Sequence, residues 1–349
     1  MRKFDYSFLK RISVPADIMN SATSIYGMKA KAELRRSDFA DVFSAMESIA
    51  KIQSVKSSNA IEGIITTDKR IRDIVNKSTA PQGHNELEIA GYRDALDLIH
   101  GSYSEIPFSE KSILELHRIL LQPSGDDLAG RYKTEDNFIM ETDREGVRRV
   151  RFTPVPASET AFAMEQLILA YHAAYSDAEI NPLMLIPCVI LDLLCIHPFR
   201  DGNGRMSRLL SLLLMYKSGF NAGKYMSIEE QINTYKNYYY TSLQKSSERW
   251  HENDNNYFPF IENFLFNLKM SYFELESRFA SLKDRKITKK QRIEELVTGS
   301  LLPVSKREIC EKLPDISVTT VEAELARLLK SGRIEKIGNG RGTVYRSCR

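Results

Sequence analysis

Disulfide chemistry is the first thing this 349-residue chain lacks. Its four cysteines, Cys188, Cys195, Cys310 and Cys348, show neither a metal-ligand spacing nor a disulfide framework. Cys188 and Cys195 lie seven apart on an apolar stretch and read as core residues, so a reducing cytoplasm is the expected compartment. Long apolar runs are missing too. The stretch from Leu183 to Ile196 is too short to span a bilayer and is interrupted by Pro187 and Asp192. The opening residues, Met1-Arg2-Lys3-Phe4-Asp5, have no apolar signal-peptide core, so no membrane contact is expected. What remains, 42% hydrophobic and 27% charged, describes an ordinary soluble globular protein long enough for two or three domains.

Charge is unevenly spread. Residues 283–349 hold 16 Lys/Arg against 9 Asp/Glu, whereas residues 1–282 hold 33 against 37. A basic tail on a mildly acidic body raises the expectation of a DNA contact through 283–349.

Helical spacing of apolar residues dominates the rest and predicts helices near 38–57, 85–100, 109–121, 158–176, 182–196, 205–217, 228–248 and 257–281. One region breaks the pattern. Residues 130–134 and 147–154 flank Asp143-Arg144-Glu145-Gly146 and predict a short β-hairpin turning at Glu145-Gly146. After the charged stretch 283–286, helices are expected at 291–298 and 305–313. A third, capped by Ser317-Val318-Thr319-Thr320, runs to Lys330. Strands at 333–337 and 343–346, joined by 338–342, complete the layout of a winged helix-turn-helix. Thr319 to Leu329 would be its recognition helix, 338–342 its wing, and Arg341 a wing cation. Glu322 and Glu324 on that helix keep open a protein-binding module of the same fold.

The densest chemistry sits in His197-Pro198-Phe199-Arg200-Asp201-Gly202-Asn203-Gly204-Arg205-Met206-Ser207-Arg208. Here a loop leaves one apolar helix and feeds the N-terminus of another, where backbone N–H groups and the helix dipole favour an anion. Taken singly, the histidine reads as core and Gly-Asn-Gly as a turn. Together they offer a base near working pH in His197 and a hard oxygen ligand for Mg²⁺ in Asp201. Gly202, Asn203 and Gly204 form a cradle, and Arg205 and Arg208 share a helix face where positive charge opposes the dipole unless an anion is bound. Phe199 reads as the anchor of the loop.

At every defined position this run matches His-x-Phe-x-Asp/Glu-Gly-Asn-Gly-Arg-x-x-Arg, and the chain resembles the Fic domain family. The resemblance implies a mainly α fold: a Fic helical bundle with a β-hairpin flap, plus the small C-terminal winged-helix domain. Residues 1–100 would be an N-terminal helical region, 101–282 the catalytic core and 283–349 the third domain. The resemblance also implies transfer of AMP from ATP, with Mg²⁺, to a Ser, Thr or Tyr hydroxyl of a protein, UTP or CTP staying open. The flap near 131–154 would hold the target by main-chain pairing. Relatives that phosphorylate instead carry Lys where this chain has Gly204, which favours AMP as the transferred group. Tyr239 or Tyr240 would touch the nucleotide. Finally, Ser58-x-x-x-Glu62-Gly63 resembles the family's inhibitory motif on a helix near 45–63, with Glu62 paired to Arg208. Removal of AMP by the same fold, a regulator whose Fic body senses nucleotide, self-modification and a homodimer all stay open.

Overall fold

A computed structural model describes residues 2–142, 146–284, 289–300, 303–313, 316–338 and 340–348, without the side chains of residues 37, 38, 41, 142, 280–284 and 341. The chain divides into two compact units, Met1–Ser277 and Arg278–Arg349. The division falls five residues before the boundary expected from the sequence.

The first unit opens with a 3-10 turn, Ser7–Lys10, followed by α1 (Ala16–Asp38), α2 (Ala40–Ile61), α3 (Asp68–Val75), α4 (Gly83–Ser102) and α5 (Glu110–Leu121). A hairpin of β1 (Ile139–Thr142) and β2 (Arg148–Phe152) interrupts the helices. Then come α6 (Ala157–Tyr175), α7 (Pro182–Ile196), α8 (Asn203–Lys217), α9 (Ala222–Tyr225), α10 (Ile228–Thr234), α11 (Lys236–Ser247) and α12 (Phe258–Asp284). No described helix is long and apolar enough to cross a membrane.

The core sits around α7. Asn181 caps it by accepting the Leu183 N–H at 2.9 Å, and Pro182 supplies a first residue whose missing N–H costs nothing. Every residue from Leu183 to Ile196 is buried, as expected for a helix that is apolar on all sides. It packs against α6 and α8. Its one carboxylate, Asp192, accepts hydrogen bonds from Tyr6 Oη and Trp250 Nε1, both at 2.7 Å, and from Tyr257 Oη at 2.9 Å. Those donors stand in for water around a group that burial would otherwise penalise.

Two expectations need correction. The first hairpin strand lies at 139–142, not 130–134, because residues 130–133 are used to brace the loop after α7. The turn expected at Glu145-Gly146 falls partly outside the described residues. The single helix expected over 228–248 is two, α10 and α11, broken at Tyr235. Helices α1 and α3 lie outside the spans that apolar spacing predicts. Their buried rows are short, Ile18, Ala22, Ile25 and Met28 in one and Ile71, Ile74 and Val75 in the other.

The second unit contains α13 (Lys289–Thr298), β3 (Val304–Ser305), α14 (Lys306–Lys312), α15 (Val318–Lys330), β4 (Ile334–Ile337) and β5 (Val344–Ser347). The strands form an antiparallel sheet in the order β3-β5-β4. Ser305 and Glu308 form a reciprocal capping box at the start of α14, and Ser317 caps α15. Ile293, Val297, Ile309, Val321, Leu325, Leu328 and Ile334 share a core of their own.

Candidate active site

His197 ends α7 in a left-handed backbone conformation, φ 52° and ψ 60°, that a β-carbon disfavours. Its Nδ1 lies 3.3 Å from the Leu194 carbonyl. Only a protonated nitrogen can donate there, so Nδ1 carries the proton and Nε2 keeps its lone pair. Burial pushes the imidazole pKa down to about 4, and the Lys133 charge adds to that. The ring is therefore neutral at neutral pH, as a general base must be.

The strain at His197 is held from both sides. Lys133 N–H donates to the Pro198 carbonyl at 2.9 Å, and Lys133 Nζ reaches the Ile196 carbonyl at 3.4 Å and Asn137 Oδ1 at 2.8 Å. Asn137 Nδ2 donates to the Phe199 carbonyl at 3.0 Å. Phe199 is fully buried and stacks on His117, with ring centroids 3.7 Å apart. His117 accepts the Gly130 N–H at Nδ1 (3.0 Å), so its Nε2 donates to the Asp201 carbonyl at 3.1 Å. Burial holds the His117 pKa near 4, consistent with that neutral form. None of Lys133, Asn137 or His117 was singled out from the sequence. Each acts from a distant segment through common chemistry, and no local pattern marks them.

Two residues of the loop do other work than expected. Asn203, assigned to the nucleotide, folds back instead: its Oδ1 accepts the Phe199 N–H at 3.0 Å and its Nδ2 donates to the Phe199 carbonyl at 2.8 Å. Arg205, assigned to pyrophosphate, is 1% exposed. It is ion-paired with buried Glu88 of α4 and donates to Asp201 Oδ2 at 3.2 Å. It fixes the loop to the bundle.

The cradle itself is open. Gly202 takes φ +79° at the N-cap of α8 and supplies no side-chain cap. The first helical bond runs from Met206 N–H to the Gly202 carbonyl at 2.8 Å, so the N–H groups of Asn203, Gly204 and Arg205 precede the ladder. Asp201 Oδ1 accepts the Gly202 N–H at 2.6 Å, and its side chain is 62% exposed beside this terminus. Among the described residues no group of three or more His, Cys, Asp or Glu could hold an ion alone. One exposed carboxylate next to a phosphate cradle nevertheless fits Mg²⁺, which takes few protein ligands and shares the phosphates.

Arg208 is buried and engaged. Nε donates to Ser58 Oγ at 2.8 Å, and Nη2 donates to the Ser58 carbonyl at 2.9 Å and to Glu62 Oε1 at 2.8 Å. Glu62 follows the last turn of α2, and Gly63 stops the helix at φ +80°. Lys236 Nζ caps the Ile61 carbonyl at 2.7 Å. Further up, Ser54 Oγ donates to buried Glu229 Oε2 at 2.7 Å, which docks α2 against α10. The Glu62 carboxylate lies over Gly204, where any β-carbon would run into Oε1.

These groups line one cavity of about 190 Å³. Its walls carry His197, Gly204 and Arg208 with Glu62, Tyr239 and Tyr240 on one side, and Ile139, Arg151 and Phe152 of the hairpin on another. A base, an anion cradle and a masked arginine thus open into a single space.

Comparison with known proteins places the same loop within a described family model. The Fic/DOC family model matches residues 107–215. The protein adenylyltransferase Fic of Nematostella vectensis is 31% identical over 179 residues, covering 49% of this chain and 39% of that protein. Protein adenylyltransferase fic-1 of Caenorhabditis elegans is 33% identical over 171 residues, 46% and 31% of the two chains. The chain thus matches less than half the length of either relative. A Fic family protein from Desulfovibrio desulfuricans G20 superposes with a TM-score of 0.66 at 18% identity, covering 97% of both chains. Fic-1 from C. elegans (residues 134–508) gives 0.55 at 22% identity over 75% of this chain and 74% of that one. The segment 107–215 is thus a Fic/DOC domain.

Proposed function

We propose that this protein transfers AMP from ATP to a hydroxyl of a protein side chain, and that Glu62 restrains it. The observation that carries the reading is the shared cavity, lined both by a neutral His197 and by Arg208 clamped by Glu62 beside Gly204. In this reading Nε2 of His197 takes the proton of the incoming hydroxyl. The hydroxyl oxygen bonds to the α-phosphorus as the bond to the bridging oxygen breaks, and pyrophosphate leaves. The N–H groups at the start of α8 hold the phosphates. Arg208, once released from Glu62, presents a fork to the outgoing charge. Mg²⁺ held by Asp201 would neutralise phosphate charge during the transfer. The two-stranded hairpin would hold the target segment by main-chain pairing.

With Glu62 in place the γ-phosphate meets a carboxylate where it needs a guanidinium. The same residues would serve removal of AMP, so both directions must be assayed. ATP labelled at the α-phosphate should mark protein in the presence of Mg²⁺, ATP labelled at the γ-phosphate should not, and His197→Ala should reduce labelling by about 10²-fold or more. Marking from the γ-label would reject AMP transfer in favour of phosphoryl transfer. Release of AMP from modified protein without any forward labelling would reverse the direction.

For the second unit we propose a winged-helix module docking DNA, with α15 as the reading helix and 338–342 as the wing. Asn339 and the side chain of Arg341 lie outside the described residues. The excess of 16 Lys/Arg over 9 Asp/Glu in residues 283–349 supports this. Weighing against it, Lys306 is paired with Glu322, Arg327 and Arg333 with Glu294, and Arg346 with Glu335. A gel shift that weakens steeply with salt is expected. No binding at low salt would leave the protein-docking alternative.

A further inference from the structure

We propose that Glu229 of α10 is a positioning residue for the restraint: by holding Ser54 it keeps α2 seated, so that Glu62 reaches Arg208. The inference rests on the proposed restraint by Glu62.

Spacing along α2 sets the geometry. Ser54, Ser58 and the C-cap Glu62 follow one another at intervals of four, so they lie along one helix face over about 12 Å. Ser58 and Glu62 hold Arg208. Ser54, about two turns earlier, holds Glu229 instead, its Oγ donating to Oε2 at 2.7 Å. The three residues belong to one continuous helix and its cap, which shifts as a unit. A movement that lifts Glu62 off Arg208 therefore also draws Ser54 off Glu229.

Glu229 is built to hold that position. It is 1% exposed, and hydroxyls meet its two carboxyl oxygens. Oε2 accepts from Ser54 and, at 3.2 Å, from Ser227, while Oε1 accepts from Tyr92 Oη of α4 at 3.0 Å. Ser54 is the donor that α2 contributes, and its bond is the shortest of the three. A buried carboxyl deprived of its closest donor is disfavoured, so this bond favours the seated position of α2.

Neighbouring contacts fasten the same end of the helix to the same elements. Gln53 Nε2 donates to Glu230 Oε1 of α10 at 3.3 Å, and Lys236 Nζ of α11 donates to the Ile61 carbonyl at 2.7 Å. Glu229 itself stands outside the cavity that holds His197 and Gly204. It borders a smaller one, of about 30 Å³, which Arg208 and Tyr239 also line. Two routes to Arg208 thus exist, one through α2 and one direct, and the Glu62→Gly background separates them.

Incorporation of α-labelled AMP by the full-length chain tests the inference. With nearly every molecule seated at rest, weakening the seat multiplies the open fraction. Ser54→Ala should therefore raise labelling by about three- to tenfold, the effect of one lost hydrogen bond, and stay below Glu62→Gly. Glu229→Met removes both acceptor oxygens at similar length and should release the site by a comparable factor. The two substitutions together should give no more than the larger single effect. In the Glu62→Gly background neither should raise labelling further. Unchanged labelling by Ser54→Ala, with Glu62→Gly active beside it, would overturn the inference. So would an equal gain in the Glu62→Gly background, since Glu229 would then act on Arg208 directly and not through α2. A Glu62→Gly chain that gains nothing over wild type would reject the restraint itself, and this inference with it.

Discussion

Arg205 and Arg208 are three residues apart on one helix face, yet they meet different chemistry. Arg208 reaches Ser58 of α2 and Glu62 at its C-cap, beside the cavity, while Arg205 reaches Glu88 on α4, which does not line it. Glu62 keeps a side chain that is 33% exposed, whereas Glu88 is nearly buried. The two pairs should therefore differ in what they hold. Removing one partner of a buried pair strands the other charge, at a cost of about 3–5 kcal/mol. Arg205→Met should lower the unfolding free energy by that amount, measured by denaturant titration, and Glu88→Gln in the same chain should recover part of it. A fully stable Arg205→Met protein that instead loses nucleotide affinity would restore Arg205 to the phosphates. Ser58→Ala removes one hydrogen bond to a charged group, so a loss of about 1.5–3 kcal/mol is expected at most.

At the scale of elements, the segment from Lys133 to Asn137 binds the carbonyls on both sides of His197 before leading directly into β1. Whatever occupies the hairpin is therefore linked through a few residues to His197. Lys133 has its own pKa lowered to about 8 by burial, so it remains mostly charged at neutral pH and holds the His197 pKa down. Lys133→Met removes that charge, and the His197 pKa should rise above about 4 while burial, the larger cause, still holds it below 6.5. The acid limb of the activity profile should move up with it, and Lys133→Arg should leave it low. An unmoved limb in Lys133→Met would reduce Lys133 to a packing role.

The same elements explain what was legible in the sequence. The loop from His197 to Arg208 and the Ser58–Glu62 pair are contiguous patterns whose spacing is their chemistry. The brace is different, because Lys133, Asn137 and His117 are separated from the loop by more than 60 residues. Residues 130–134 alternate enough to resemble a strand, but Lys133 is drawn inward to Ile196 and Pro198, and pairing starts only at Ile139. The break at Tyr235 carries no Gly or Pro to announce it. Asn203 looked like a ligand because its side chain could face either way, and only the Phe199 backbone decides.

Across the whole molecule, three histidines are held neutral by burial: His100 with a pKa of about 3, His117 and His197 with about 4. In the unfolded chain each would titrate near 6.5, so the unfolded state binds more protons between that value and the folded pKa values. Their contribution is complete above pH 6.5 and is lost as pH falls toward 4 and 3. Glu86, lowered to about 2 by Arg70, acts in the same direction below pH 4.5. Buried Asp192 opposes them, since burial raises its pKa. The histidines outnumber it, and stability should fall by a few kcal/mol between pH 6.5 and 4. Thermal unfolding across that range measures it, and a flat or rising midpoint would contradict the neutral assignment. His117→Phe should reduce the pH slope, since it keeps the stack on Phe199 without the titrating group.

In the proposed function one carboxylate, Glu62, holds Arg208 back from the cavity. Incorporation of α-labelled AMP into protein, compared between the wild-type chain and Glu62→Gly, tests it most directly. Labelling by Glu62→Gly should exceed wild type by roughly tenfold or more, the equivalent of about 1.4 kcal/mol. It should vanish in Glu62→Gly/His197→Ala. Equal labelling by the wild-type and Glu62→Gly chains would contradict it.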